Sequence, residues 1–269
     1  MGKKFIFFVL GFAGSQFCLS QNPGLSPPAI SALGKTTATY KGEWAVFTNP
    51  AGLQNIEQMS ILFSMGNGNS IPGILNFSGG IVVPLKKFDS GMGYSFFGDG
   101  TFNKQKLSFG ISHSMGITTL GVRTGFVQYH IEGYGTKAVP TIDFGGITRL
   151  SEKFYIGAYG FNLNFPSVSE ELHFREPLLL GTGIQFIPTE HSALYIDLVK
   201  EINRPLSLRT GIQYSLIEAF RIKTGFHTEP SSYSIGFSMG KSRFKTDYSY
   251  SSGFIFGGSH QWGLTISFR

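Results

Sequence analysis

Along most of this chain, hydrophobic and polar side chains take turns. In residues 260–268, Trp262, Leu264, Ile266 and Phe268 alternate with Gln261, Gly263, Thr265 and Ser267. That is the period of a strand with one apolar and one polar face. Tyr233, Ile235, Phe237 and Met239 alternate in the same way with Ser234, Gly236 and Ser238. Leu206, Leu208, Ile212 and Tyr214 alternate with Ser207, Arg209, Gly211 and Gln213, and Phe244, Tyr248 and Tyr250 with Lys245, Asp247 and Ser249. From Gln58 onward the rhythm predicts fourteen strands: 58–65, 73–84, 91–97, 105–113, 118–130, 140–150, 154–165, 178–187, 192–199, 205–216, 220–227, 232–239, 244–250 and 260–268. The phase of 118–130 is ambiguous, and a bulge is expected there.

Alternation alone suits a soluble sandwich or a barrel in lipid. The connections separate the two. Tight links are predicted after even-numbered strands (85–90, 114–117, 151–153, 188–191, 217–219, 240–243) and longer ones after odd-numbered strands (131–139, 166–177, 251–259). Short turns at one end and long loops at the other mark an outer-membrane barrel, and an even count puts both termini on the periplasmic side. The predicted fold is therefore all-β: a 14-stranded antiparallel transmembrane β-barrel over residues 58–269.

Composition agrees. Charged residues make up 14% of the 269, against about 25% in an average soluble domain. Aromatics reach 15%, with 27 Phe and 36 Gly. The mean hydropathy of +0.05 is low for membrane helices but natural where lipid-facing and lumen-facing positions cancel. No later run is apolar for the ~18 residues a spanning helix needs.

Residues 1–20 read as a secretory signal peptide, with Lys3 and Lys4, an apolar run from Phe5 to Ala13, and Cys18-Leu19-Ser20 before the cleavage point. Cleavage would remove the sole cysteine, which leaves no thiol for a disulfide or a thiolate metal site. The expected location is the bacterial cell outer membrane.

Residues 21–57 do not alternate. They are rich in Pro, Ala, Gly and Thr, which disfavours a regular strand, and a short helix or two is expected within 30–53. Inward positions of the predicted wall are often small (Gly93, Ser95, Gly110, Ser112, Gly181, Gly183, Gly236, Ser238). Fourteen strands enclose more space than such side chains can fill. Residues 21–57 are thus predicted to be an N-terminal plug in the lumen or at its periplasmic mouth.

The stretch Ser31-Ala32-Leu33-Gly34, followed by Glu43-Trp44-Ala45-Val46-Phe47-Thr48-Asn49-Pro50-Ala51-Gly52-Leu53 and a first strand, resembles the start of the PorV/PorQ barrels associated with type IX secretion in Bacteroidetes. More distantly it resembles the FadL-like fatty-acid channel superfamily. In that superfamily an Ala-Leu-Gly-Gly stretch and an Asn-Pro-Ala-Gly-Leu stretch sit in the plug of a 14-stranded barrel. The resemblance implies that Leu33, Gly34, Trp44, Phe47, Asn49, Pro50, Ala51, Gly52 and Leu53 form the plug motif. Lys35 stands where the family has a second glycine, and the outer loops are shorter than FadL-type channels usually carry.

Candidate chemistry is sparse. His113, His130, His173, His191, His227 and His260 have no ligand spacing to one another, and Ser259-His260 and His191-Ser192 lack an acid placed to complete a hydrolase. No enzyme activity and no cofactor are expected. Arg149, Arg209, Arg221, Lys223 and Lys245 share the predicted inner face with Asp143, Asp197 and Asp247. They would either select a solute or pair with the plug, and the second is favoured because a buried charge needs a partner. Tyr155, Tyr159, Tyr248, Tyr250 and Trp262 are expected in interfacial girdles. The 22 basic against 16 acidic residues form no basic cluster with interleaved aromatics, so nucleic acid is not expected. The sequence reading is a non-enzymatic outer-membrane barrel that contacts lipid and binds protein partners in a secretion or surface-assembly complex. The alternative is a FadL-like passive transporter of a hydrophobic small molecule, with a lateral gap near Gly79-Gly80 or Gly145-Gly146.

Overall fold

The computed structural model describes residues 26–67, 73–170, 173–241, 243–253 and 257–268. The leader expected at residues 1–20 lies outside these. The wall begins with β1 (Met59–Asn67), β2 (Leu75–Pro84), β3 (Asp89–Gly98), β4 (Phe102–Met115), β5 (Thr118–Ile131), β6 (Gly135–Arg149) and β7 (Phe154–Phe161). Two short strands, β8 (Ser167–Ser169) and β9 (Phe174–Arg175), pair only with each other. The wall resumes with β10 (Leu179–Thr189), β11 (Ser192–Glu201), β12 (Leu206–Ile217), β13 (Phe220–Thr228), β14 (Ser231–Lys241), β15 (Phe244–Gly253) and β16 (Gly257–Phe268). Each pairs antiparallel with its neighbours, and β1 pairs with β16 from Met59–Phe268 to Gly66–Gln261, closing a barrel of fourteen strands. No helix among the described residues is long and apolar enough to cross a membrane; the crossing is made by strands.

Alternation gives the barrel its two surfaces. Phe63, Ile111, Ile235 and Trp262 point outward and are about half exposed, while Ser60, Ser78, Ser249 and Thr265 point inward and are buried. An exterior apolar on every strand is stable only against acyl chains. The bulge expected in 118–130 is absent, because β5 runs in unbroken register with β4 and with β6. Register shifts fall instead at Phe186/Thr189 and Ser215/Ile217, beside turns.

The expected contrast in loop length is largely gone. β5 and β6 reach to Ile131 and Gly135, and β15 and β16 to Gly253 and Gly257, so loops read as nine residues shrink to three. Gly and Thr near the tips hid these strand ends from the pattern. The long connection that remains is 162–178, which carries β8 and β9. At the other end the β4–β5 link is two residues, with Gly116 at φ +61 in the left-handed conformation that tight hairpins require.

Residues 26–57 lie inside this wall. They form one helical turn, α1 (Pro28–Ser31), and two 3₁₀ turns, Glu43–Phe47 and Pro50–Leu53. Pro28 and Pro50 each open their turn, where a missing N–H costs nothing. Ile30, Leu33, Val46 and Leu53 are fully buried. Each such burial stabilises by roughly 1.5–3 kcal/mol. Trp44, Val46 and Leu53 cluster with the inward Leu62 and Val82 of the wall.

Candidate functional site

Inward glycines seat the N-terminal segment. A Cβ on Gly225 or Gly211 would strike the backbone of Leu33, on Gly157 that of Ala38, and on Gly121 that of Pro50 and Ala51. One on Gly145 would overlap Asn49 Oδ1, one on Gly93 would meet the Phe47 ring at 2.8 Å, and one on Gly263 would meet Pro28 at 2.7 Å. The segment therefore touches wall backbone around most of the circumference.

The residues of the expected plug motif make specific contacts in the structure. Asn49 accepts from the Ala51 N–H at 3.0 Å and donates to Ala38 O at 2.6 Å, capping the second 3₁₀ turn while tying it to the preceding stretch. Gly52 has no room for a side chain against Tyr40 O and Ala45, and Leu53 packs over Gly110. Gly34 at φ +65 lies against the backbone of Thr210 and Phe226. Lys35, where the resembled family has glycine, is also left-handed at φ +61. Trp44 and Phe47 serve as packing, with ring centroids 6.0 Å apart.

Charges tie wall to segment in three places. Asp197 accepts from the N–H groups of Thr37 (2.6 Å) and Ala38 (2.9 Å), while Arg209 Nη1 on the neighbouring strand donates to Lys35 O at 3.0 Å. Asp247 accepts from Trp44 Nε1 at 3.2 Å and from Ser238 Oγ, and it pairs with Lys223 at 3.2 Å. Lys245 pairs with Glu43 at 2.8 Å. The third tie is centred on Asp143, which holds Arg123 at 2.7 Å and Lys106 at 3.2 Å and accepts from the Asn162 N–H at 2.7 Å. Arg123 also donates to Val46 O and Thr48 O at 2.9 and 2.8 Å, the orphan carbonyls that end the first 3₁₀ turn. Lys35 sits between burial and the Arg209 charge, which lowers its pKa from 10.5 to about 8.

Most predicted lumen charges do face the interior: Asp143, Asp197, Arg209, Arg221, Lys223, Lys245 and Asp247. Arg149 does not belong with them. It lies at the rim, half exposed, 3.9 Å from Glu152, because its strand ends there. Tyr155 and Tyr159 also depart from the expected girdle. Tyr159 is buried in the lumen, and Tyr155 carries Lys41 Nζ 3.3 Å above its ring. Sequence reasoning missed Arg123, Lys104, Lys106, Glu176 and Glu43. Glu176 is buried on the long connection and pairs with Lys104 at 2.8 Å, and Tyr129 donates to it. Among the described residues no group of three or more His, Cys, Asp or Glu could hold a metal ion.

Among the described residues the wall has one notch. β6 pairs with β7 only between Phe144 and Arg149, so residues 135–143 lack a strand partner on that side. Pro140 explains where this happens. Its carbonyl accepts from Asn164 Nδ2 at 2.8 Å on the open side, where its own nitrogen has no hydrogen to offer. The chain leaves β7 through Asn162 (φ +57) and Phe165 (φ +42), and Leu163 N–H still reaches Ile142 O at 2.8 Å. A left-handed phenylalanine is a strained conformation, held here by Arg175 over its ring at 5.2 Å. The gap expected at Gly79-Gly80 or Gly145-Gly146 is not found: register is continuous through both pairs, and Gly145 is small to admit Asn49.

Two apolar clusters lie in the lumen beside the notch, next to the Lys104–Glu176 and Asp143–Arg123 ion pairs. Val127, Tyr129 and Val139 face inward and pack with Val168 and Phe174 of the long connection. On the other flank Tyr159, Phe161, Leu179 and Val199 form a second apolar cluster with Ala38. Elsewhere toward this end the inward positions include the buried polar residues Ser64, Asn76, Ser78, Ser95, Ser108, Ser232, Ser234 and Ser259.

No protein-family model matches the sequence, and no curated protein matches it. Solved structures do share its fold. The Ralstonia pickettii toluene transporter TbuX superposes with a TM-score of 0.71 at 12% identity, over 90% of this chain and 98% of that one. The monoaromatic hydrocarbon channel CymD gives 0.70 at 14% identity, over 91% and 98%. The Pseudomonas putida toluene transporter TodX gives 0.64 at 11%, over 88% and 96%. These likenesses share the expected fold, the 14-stranded barrel. The superfamily resemblance holds at the level of fold, and nothing in these likenesses points to PorV/PorQ or to type IX secretion.

Proposed function

We propose that this chain is a non-enzymatic FadL-like channel of the outer membrane, passing a hydrophobic small molecule across it. In this reading residues 1–20 are a leader, 21–57 a plug and 58–269 the barrel. The observation that carries it is the pair of apolar clusters in the lumen, Val127/Tyr129/Val139 on one flank and Phe161/Leu179/Val199 on the other, at the notch between β6 and β7. A hydrophobic solute arriving from the bilayer would exchange one apolar surface for another there, with little desolvation cost. Val168 and Phe174 of the 162–178 connection pack into the first of these clusters in this structure, so entry requires the connection to move. The fold of TbuX, CymD and TodX supports the same reading. The lumen charges act as ties between wall and plug rather than as a solute filter. A secretion-partner role has no specific observation in its favour, and the short outer loops that suggested it also accompany a transporter fold.

The test pins the connection. Val139→Cys/Val168→Cys should cross-link on oxidation in cells displaying the full chain in a lipopolysaccharide-bearing outer membrane. Uptake of a labelled monoaromatic hydrocarbon should fall to the level of cells lacking the chain and return on reduction. Equal uptake by cross-linked and reduced protein sinks the proposal.

A further inference from the structure

At the end of the barrel where β1 begins and β16 ends, a cavity of about 90 Å³ lies between the N-terminal segment and the first or last residues of β13 to β16. Four cations line it, Lys41, Arg221, Lys223 and Lys245, against two carboxylates, Glu43 and Asp247. Both carboxylates are engaged. Lys245 pairs with Glu43 at 2.8 Å, and Lys223, Trp44 and Ser238 all bond to Asp247. Lys41 lies over the Tyr155 ring. The Arg221 guanidinium makes no hydrogen bond and no ion pair among the described residues; its register partners are Ser238 and Ser215. Tyr40 feels its charge across the cavity: burial raises that phenol well above its usual range, and Arg221 opposes the rise.

We propose that this cavity is an oxyanion site, with Arg221 as its anchor and phosphate as the chemistry it takes. An enclosed excess of two positive charges repels itself in a medium of lower dielectric than water, and one anion removes the repulsion. A guanidinium offers a planar fork of donors that matches two oxygens of a phosphate, and here none of those donors is committed. The Lys245 ammonium lines the same cavity and keeps N–H donors beyond its pair with Glu43 to take a further oxygen. The phosphate could be a free solute or a phospholipid headgroup reaching over the rim. The site is separate from the hydrophobic route above and survives if that route fails.

The chain holds two tryptophans, Trp44 in this cavity and Trp262 on the lipid face, so Trp262→Phe leaves a reporter at the site. The full chain with this change, folded in a phosphate-free detergent, is titrated with inorganic phosphate at constant ionic strength. Trp44 emission should change saturably. Arg221→Gln should weaken the apparent affinity at least tenfold, and Arg221→Lys should weaken it less. Both variants are checked for native, heat-modifiable migration in gels, and Arg221→Lys alone decides the matter should Arg221→Gln fail to fold. An Arg221-dependent emission change on transfer into phospholipid nanodiscs without added phosphate would assign the site to a headgroup. No saturable change in either setting, or one indifferent to Arg221, overturns the proposal.

Discussion

Asn49 and Gly145 occupy one another's only available space: a methyl group on the wall glycine would overlap the Oδ1 atom that accepts the Ala51 N–H. The neighbouring Gly146 faces outward, where a methyl would meet nothing closer than Leu120 at 3.4 Å. Gly145→Ala should therefore lower stability to urea by about 1–3 kcal/mol, the range for overpacked interiors, while Gly146→Ala stays within about 0.5 kcal/mol. Urea midpoints followed by tryptophan emission check the pair. Equal midpoints would mean that Asn49 is not seated as described.

Asp143 balances two cations and one backbone N–H in the lumen wall. Its replacement by Ala leaves Arg123 and Lys106 without their carboxylate, and breaking a buried pair in this way costs about 3–5 kcal/mol. The loss should be local as well as global, because Asn162 N–H, the start of the 162–178 connection, hangs from the same carboxylate. Limited proteolysis should cut Asp143→Ala within 162–178 at a protease concentration that spares the wild type.

Lys35 adopts a left-handed φ of +61 with a side chain that gains nothing from it. A non-glycine residue pays roughly 1–2 kcal/mol for that conformation. Lys35→Gly should raise the urea midpoint, and Lys35→Val, β-branched at the same φ, should lower it. A fall for both would locate the value of Lys35 in its charge instead.

Acidity gives an independent handle on the same residue. The folded-state pKa of Lys35 is lowered to about 8, and the unfolded value stays near 10.5. Between these values the unfolded chain holds a proton that the folded one has lost, so stability rises with pH from about 8 to 10.5 and levels off above. Lys41 is lowered to about 8 as well, by burial and the charge of Arg149, and adds in the same direction. Urea midpoints measured across this window should climb in the wild type and climb less in Lys35→Met.

Strand count, closure parity and the inward face of nearly every strand were legible from alternation, because lipid and lumen impose opposite demands on neighbouring side chains. The same cause hid the notch. β5 reads ambiguously since its lower half sends Thr119, Gly121 and Arg123 inward, whereas its upper half sends Val127 and Tyr129 there. Apolar inward positions erase the contrast on which phase depends. Arg123 was lost with that phase, although its partner Asp143 was not, and Glu176 sits in a connection with no period at all. Pro140 was the available clue, a residue that rejects a strand neighbour on one side. The N-terminal motif was legible as a pattern, but its reasons are not local. Gly52 is small because of Tyr40, and Gly121 is small because of Ala51.

The ring of bare wall positions has a bearing on the order of biogenesis. Main chain rests on main chain at Gly34 and Gly225, at Ala38 and Gly157, and at Ala51 and Gly121, leaving no clearance for threading a finished coil through a finished cylinder. The first wall strand follows that coil directly and pairs with β16, at the far end of the strand order in sequence. The N-terminal stretch therefore has to be seated before the seam between β1 and β16 closes around it.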